Sequence, residues 1–490
     1  MDYQPGKNLT PLSSKSEKAA PIPVSAVRAV INLPLPTWRL VVLLGWPILA
    51  QQLLILTVSL SDRYLAGRTE QIAYQAAHTT TAYLNWLMAS FTVLVSVGST
   101  ALVARFVGAG DHAGAVRATH QSLLLAVVLG LAGTAAGLLW IKELLWLLHL
   151  RGAEGTYAAE FLRPLFAVLV FQIVQSAGLA CLVGAGDTKT NLWVFGGVAL
   201  INLPLAWSFS LGFGPLPAQG FVGIARGTAL STVLGGLAVM IILARGRAGL
   251  RLRLRMFWPN WDLIRRLLRI SVPAGVDSLT NAASQLWFLS IVNHLSLADK
   301  GAHGIALGWE ALGYLSGVAF GTAAMTLVGQ NLGAGRPDRA ARSGWTAFAL
   351  GCGVMSLMGV VFFTLAPWMF ALFCPGEEQR PVIVAGVPVL RLVAFAMPAV
   401  ASAFVFTYAL RGAGDTRVPV LFTFIGFLGV RIPLAHVLAL NQIDLGALGV
   451  WPGCGLGLFG AWLAMFADLQ LRGGLFLYRF ASGKWKWVQV

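Results

Sequence analysis

Four of the charged side chains in or at the edge of the long apolar runs have types and settings that bear on the chemistry open to this chain. Glu310 follows Trp309 and sits four residues before Tyr314 in GIALGWEALGYLSG (304–317). A carboxylate beside aromatic rings attracts an organic cation through charge and cation–π contact; its plainer role is a hydrogen bond between packed helices. Asp277 lies one turn after Pro273, where a polar contact near a helix end would serve equally well. Asp62 comes fifteen residues after Pro47, about 22 Å along a helix. Paired with Arg63 or Arg68 it would be an interfacial ion pair; desolvated, it could trade its charge for a proton and let its surroundings reshape. Arg431, in VRIPLAH (430–436), is a sensible counter-ion for Glu310 or Asp277. An ionisable group in hydrocarbon is costly enough to be a functional suspect by default.

The elements that must hold these groups follow from composition. The chain is 57% hydrophobic and 11% charged, with mean hydropathy +0.74, against roughly 25% charged residues in an average soluble domain. So much apolar surface has nowhere to hide in water. Apolar runs fall at 40–61, 81–104, 120–141, 161–183, 190–211, 219–243, 270–295, 304–328, 345–366, 386–409, 418–440 and 455–477. These are lengths that cross about 30 Å of hydrocarbon. The expected fold is therefore an all-α polytopic membrane protein with twelve transmembrane helices. Of the 35 Lys and Arg, twenty-four fall on one set of alternate loops and the two tails, which places both termini in the cytoplasm and the chain in the inner membrane. Residues 1–38 are polar and Pro-bearing, and read as a disordered tail without a cleavable signal.

The twelve spans are two copies of six. GAGDT occurs at 184–188 and again at 412–416, an offset of 228. ALVARFVGAGD (101–111) answers TLVGQNLGAGR (326–336), INLPLAW (201–207) answers VRIPLAH, and Pro47 answers Pro273. Six is even, so the two pseudo-symmetric six-helix bundles enter from the same side, with a substrate site expected between them. The boundaries are 39–244 for the first lobe, 245–269 for an Arg-rich linker, 270–480 for the second lobe and 481–490 for a cytoplasmic tail. GAGDT reads as a structural turn, its Gly suited to positive φ and its Asp-Thr to capping the next helix. By the same offsets, Asn85 is the first-lobe counterpart of Glu310, and Gln51 that of Asp277. One lobe carries amides where the other carries acids, an asymmetry that would place cation and proton sites in one lobe.

Several classes drop out. The net charge of +16 is topological rather than a nucleic-acid surface, since the aromatic residues lie within apolar runs. The short GAG turns lack the G-K-[ST] of a phosphate loop. Cys181, Cys352, Cys374 and Cys454 form no C-x-x-C pair, and His78, His294 and His303, near outer helix ends, read as surface residues without metal spacing. No enzyme, cofactor or metal site is expected. The linker RGRAGLRLRLRMFWPNWDLIRRLLR (245–269) suggests contact with anionic lipid headgroups.

Pro47 with SDRYLAG (61–67), ALVARFVGAGD, both GAGDT copies, GIALGWEALGYLSG and TLVGQNLGAGRPDRA (326–340) together resemble the multidrug and toxic compound extrusion (MATE) family of secondary transporters. The resemblance spans residues 40–480. It implies a V-shaped pair of six-helix bundles that exports organic cations through a central cavity in exchange for protons or sodium ions. Asp62 matches the first-helix Asp that some members use for coupling, with sodium there as one option. In those relatives a second Asp on the fifth helix follows an Asn by four residues. Here the Asn is Asn202 but the acid position is Ala206, which puts a two-carboxylate site in doubt. The acids of sodium-coupled members would fall at Asn281 and Val400. The expected function is a monomeric antiporter of amphipathic organic cations in contact with membrane lipids. A flippase for lipid-linked or polyisoprenoid substrates is the alternative, and it would be expected to line its cavity with several Arg.

Overall fold

The computed structural model describes residues 29–68, 72–147, 152–213, 217–444 and 449–488. Twelve helical crossings follow one another in chain order, each matching one apolar run of the sequence. The first six are built from α1 (Thr37–Arg68), α2 (Ile72–Gly108), α3 (His112–Leu139), the short α4 (Ile141–Leu147), α5 (Gly152–Ala167) with α6 (Leu169–Ala185), α7 (Thr188–Leu211) and α8 (Gly220–Ala244). The second six are α9 (Trp261–Val292), α10 (Leu297–Gly333), α11 (Pro337–Ala371), α12 (Arg380–Ala413), α13 (Arg417–Phe424) continued through a π-helix (Ile425–Arg431) into α14 (Ile432–Ala439), and α15 (Gly457–Ala481). Nine described helices are long and apolar enough to cross a membrane, and α5–α6, bent by 50°, makes a tenth. The remaining two, α9 and α15, carry clusters of charge. A two-stranded ribbon, β1 (Gln442–Asp444) with β2 (Val450–Pro452), precedes α15.

The outer surface suits lipid. Trp193, Leu200 and Leu139 are each at least 70% exposed, which only a hydrocarbon surround makes inexpensive. Helix starts are set by short polar side chains: Asp111 accepts from the Gly114 amide, Asn260 from Leu263 and Ser296 from Asp299. The first GAGDT behaves as its composition suggests. Gly186 takes φ +94°, and Asp187 caps α7 by accepting from the Thr190 amide. In the second copy Gly414 takes φ +85°, but Asp415 is engaged by Arg479 instead of capping α13.

The two halves meet at their linker-side ends. Gly108 and Gly333, repeat equivalents, have no room for a Cβ: Gly108 lies on the Gln330 carbonyl of the other half, and Gly333 on that of Arg105. The same pair of positions ties the halves by hydrogen bonds. Arg105 donates to the Ala413 carbonyl (2.7 Å), and Gln330 donates to the Gly184 carbonyl (3.0 Å). Each half therefore reaches into the GAGDT turn of the other. Thr326 adds a bond to the Val183 carbonyl, Ser271 accepts from the Gly98 amide, and Ser278 donates to Ser90.

Two expectations need correction. The linker is shorter than 245–269, because α9 begins at Trp261; Leu263, Ile264 and Leu267 form a buried stripe that continues the helix toward the linker. Residues 29–38 are not a loose tail: Val30 and Ile31 are buried, and the Val30 amide donates to Gln330 at 3.0 Å. At the other end Trp485 is fully buried, stacked on Phe480, and the Val488 carbonyl accepts from Arg105. Residues 1–28 lie outside the described residues.

Candidate functional site

The charges inside the second half are arranged around α15. Asp468 and Arg472 stand four residues apart, one turn on the same face, and Arg472 donates to both Asp468 oxygens at 2.7 Å. Arg431 reaches the same carboxylate from the end of the π-helix, with its Nε 2.8 Å from Oδ2. Phe427 lies between the two guanidinium groups, 4.5 Å and 4.2 Å from their centres, and cation–π attraction adds to the ion pairs. The close approach needs Gly426, where a Cβ would run into Asp468 and Arg472. Arg431 is the last residue of the π-helix, two residues ahead of Pro433, and such bulges are frequent at functional sites. All three charged side chains are buried, Asp468 completely.

This overturns the expected partner of Arg431. Its ion pair is with Asp468, not with Glu310 or Asp277. Arg431 also donates to Gln285 of α9 at 3.4 Å and acts on Glu310 electrostatically. Glu310 itself, on α10, is half-buried and forms no ion pair among the described residues. Its neighbours are aromatic: Trp309 packs edge-on to Phe373, and Tyr314, stacked on Phe404, is within electrostatic reach of the carboxylate. The indole NH of Trp309 is buried without a partner among the described residues. Glu310 is thus an acid beside a fixed positive charge but not quenched by it.

Asp277 is placed elsewhere. It is buried one turn beyond Pro273 and paired with Arg411 of α12 at 2.6 Å, with Arg411 over the Tyr408 ring. Asp277, Asn281 and Gln285 recur every four residues along one stripe of α9, so the stripe runs from the Arg411 pair to the Arg431 cluster.

The first-half candidates do not form one site. Asp62 has a buried oxygen without a partner among the described residues; next to it, Ser61 accepts from Trp207 of α7. Ala206 is fully buried where α7 and α8 touch through backbone, because a Cβ on Gly227 would lie 2.7 Å from the Ala206 nitrogen. The contact leaves no acid there to share a proton or ion with Asp62. Asn202 turns to α8 instead, donating to Thr228 and Ser231 at 3.1 and 3.2 Å. Gln51 accepts from Asn191 at 2.7 Å. Asn85 lies on α2, and its side chain is outside the described residues. The same is true of His78. His303, expected on the surface, is buried and accepts from Trp462 at 3.1 Å; His294 is exposed.

Asp468 and Arg472 were missed by sequence reasoning, although an Asp and an Arg four apart inside the apolar run 455–477 were a usable signal. Among the described residues, no cluster of His, Cys, Asp or Glu could hold a metal ion.

The two duplicated halves are matched by a single family profile. MatE aligns twice, over residues 47–208 and 273–437, once on each half. The chain belongs to the MatE family. These are the multidrug and toxic compound extrusion transporters, and the protein is a multi-pass membrane transporter, not an enzyme. Among its relatives is the probable multidrug resistance protein NorM of Thermotoga maritima, 26% identical over 405 residues that cover 82% of this chain and 83% of that one. The multidrug resistance protein NorM of Burkholderia vietnamiensis is 29% identical over 434 residues, 85% of this chain and 90% of its own. In fold, the chain is similar to a MOP superfamily transporter from Pyrococcus furiosus, with a TM-score of 0.84 at 19% identity over 94% of this chain and 99% of that one.

Proposed function

We propose that this protein is a secondary active exporter of amphipathic organic cations, driven by inward movement of protons or sodium ions, in the inner membrane with both termini cytoplasmic. The observation that carries the reading is Glu310: a half-buried acid in a transmembrane helix, next to Trp309 in the chain and within electrostatic reach of Tyr314, with no ion pair among the described residues. A carboxylate in that setting binds either a proton or an organic cation, and occupation by one excludes the other. That competition is the logic of antiport. Arg431 keeps a positive charge nearby, and Asp468 and Phe427 hold it in place, so a captured cation meets opposing fields and is released once Glu310 is protonated. The closed linker-side junction supports alternating access, with the halves parting around Gly108 and Gly333 in the opposite state. Asp62, without an acid at 206, has a secondary role in coupling. The Asp277–Arg411 pair is a gate near the linker-side mouth.

Efflux of a fluorescent organic cation from proteoliposomes under an imposed pH or sodium gradient tests this, with wild type, Glu310→Gln and Asp62→Asn compared. Loss in Glu310→Gln with substantial activity left in Asp62→Asn is expected. Loss confined to Asp62→Asn would move coupling to the first half. No gradient-driven efflux in wild type would remove the cation reading and leave lipid-linked substrate flipping, which the engagement of both Arg431 and Arg472 by Asp468 now disfavours.

A further inference from the structure

The linker between α8 and α9 has a shape that topology alone does not require. From Arg251 to Arg255 the sequence RLRLR alternates, and the structure keeps Arg251, Arg253 and Arg255 exposed while Leu252 turns inward. None of these three Arg forms an ion pair among the described residues, unlike Arg247, which is bound to Asp187 at 2.6 Å, and Arg266, which is bound to Asp262 at 3.1 Å. Leu252 lines an open apolar recess of about 360 Å³ together with Met240, Ile241 and Ala244 from the last turns of α8 and with Phe257. That volume lies within the range of small-molecule sites. The recess lies along the last turns of α8, where Ile241 is 52% exposed. Trp258, next in sequence to Phe257, and Trp261 at the start of α9 are 82% and 76% exposed, the residue type that seats itself at headgroup level.

The segment is also held in this form. The Arg253 amide donates to His120 Nε2 at 2.8 Å, and the His120 ring meets Phe257 edge-on. Gln121 donates to the Trp258 carbonyl (2.9 Å) and accepts from the Asn260 amide (3.0 Å). The Leu252 amide is bonded to the Leu243 carbonyl at 3.2 Å. A backbone held in this form before any ligand arrives need not be ordered on binding, which lowers the entropy cost.

We propose that this face is a binding site for an anionic phospholipid of the adjacent leaflet, with its phosphate held by Arg251, Arg253 and Arg255 and an acyl chain entering the recess. Charge complementarity and the apolar recess beside the charges together favour a lipid over a free anion, which would have no use for the recess. Because the segment joins the two halves, a bound lipid would tether the linker to the bilayer while the halves move.

The test uses the full-length protein in detergent, with native mass spectrometry to count retained dioleoyl phosphatidylglycerol and dioleoyl phosphatidylcholine. Wild type should prefer the anionic lipid on the order of a hundredfold, given three arginines at the surface. The variant R251Q/R253Q/R255Q should fall to the phosphatidylcholine level with an unchanged unfolding midpoint, because all three side chains are exposed. Ala244→Trp, which fills the recess, should weaken dioleoyl phosphatidylglycerol but not its lyso form. Equal retention of the two lipids by wild type, or full retention of phosphatidylglycerol by the triple variant, overturns the proposal. Displacement of the lipid by millimolar inorganic phosphate does so too, because it would mark a free-anion site.

Discussion

Replacing Asp468 by Asn would remove the carboxylate bonded to both Arg431 and Arg472 without changing the shape of the side chain. Four nitrogen–oxygen contacts of 2.7–2.8 Å converge on this carboxylate, and it has no exposure to dilute their loss. The amide would turn N–H groups toward N–H groups and leave two buried guanidinium ions uncompensated. Breaking a buried pair in this way costs about 3–5 kcal/mol, or roughly two to almost four orders of magnitude in the unfolding equilibrium. Glu310→Gln is the internal comparison. That acid forms no ion pair among the described residues, so its loss should cost under about 1 kcal/mol. Unfolding in mixed micelles by increasing mole fractions of dodecyl sulfate, followed by circular dichroism, gives both numbers. Adding Arg472→Gln to Asp468→Asn should recover part of the loss by removing one of the stranded charges. If Asp468→Asn falls within about 0.5 kcal/mol of Glu310→Gln, the cluster is not a charge lock. Arg431 would then not be held as the proposed mechanism requires.

Further outcomes follow from the junction and the turns. Gly108→Ala or Gly333→Ala places a methyl group against a backbone carbonyl of the opposite half; such overpacking costs about 1–3 kcal/mol and should shift the population toward a parted junction. Electron-resonance distances between spin labels at exposed positions 189 and 417, in a Cys454→Ser background, would lengthen, and an unchanged distance distribution would refute the closeness of that contact. Arg411→Gln strands Asp277, so Asp277→Asn in the same chain should restore much of the lost stability, with a coupling of about 0.5–3 kcal/mol in a double-mutant cycle; additive losses would mean that the pair does not interact. Asp187→Ala should destabilise by about 0.5–2 kcal/mol through the lost cap on α7, whereas the partly exposed pair with Arg247 adds little. Arg247→Gln alone should therefore be near neutral in the same unfolding assay.

Much of the architecture was legible in the residues themselves. Hydrocarbon demands about twenty apolar residues per crossing, so the twelve spans could be counted from the apolar runs along the chain, and the repeated GAGDT and GAG turns exposed the duplication. The same turns could be read as structural, but only the fold showed what lies against them: Gly108 and Gly333 rest on the opposite half, and Arg105 and Gln330 bond to the opposite GAGDT. Sequence spacing can place residues on one helix face, as it does for Asp277, Asn281 and Gln285. It says nothing of which helices face one another. Arg431 could therefore be recognised as a buried cation from its apolar run, while its partner was decided by how the π-helix at Ile425–Arg431 packs against α15. Asp277 and Arg411, 134 residues apart, met for the same reason. The apolar pattern along the chain determined what enters the membrane; the pairing of the few charges carried in with it depended on helix contacts that exist only once the bundle has packed.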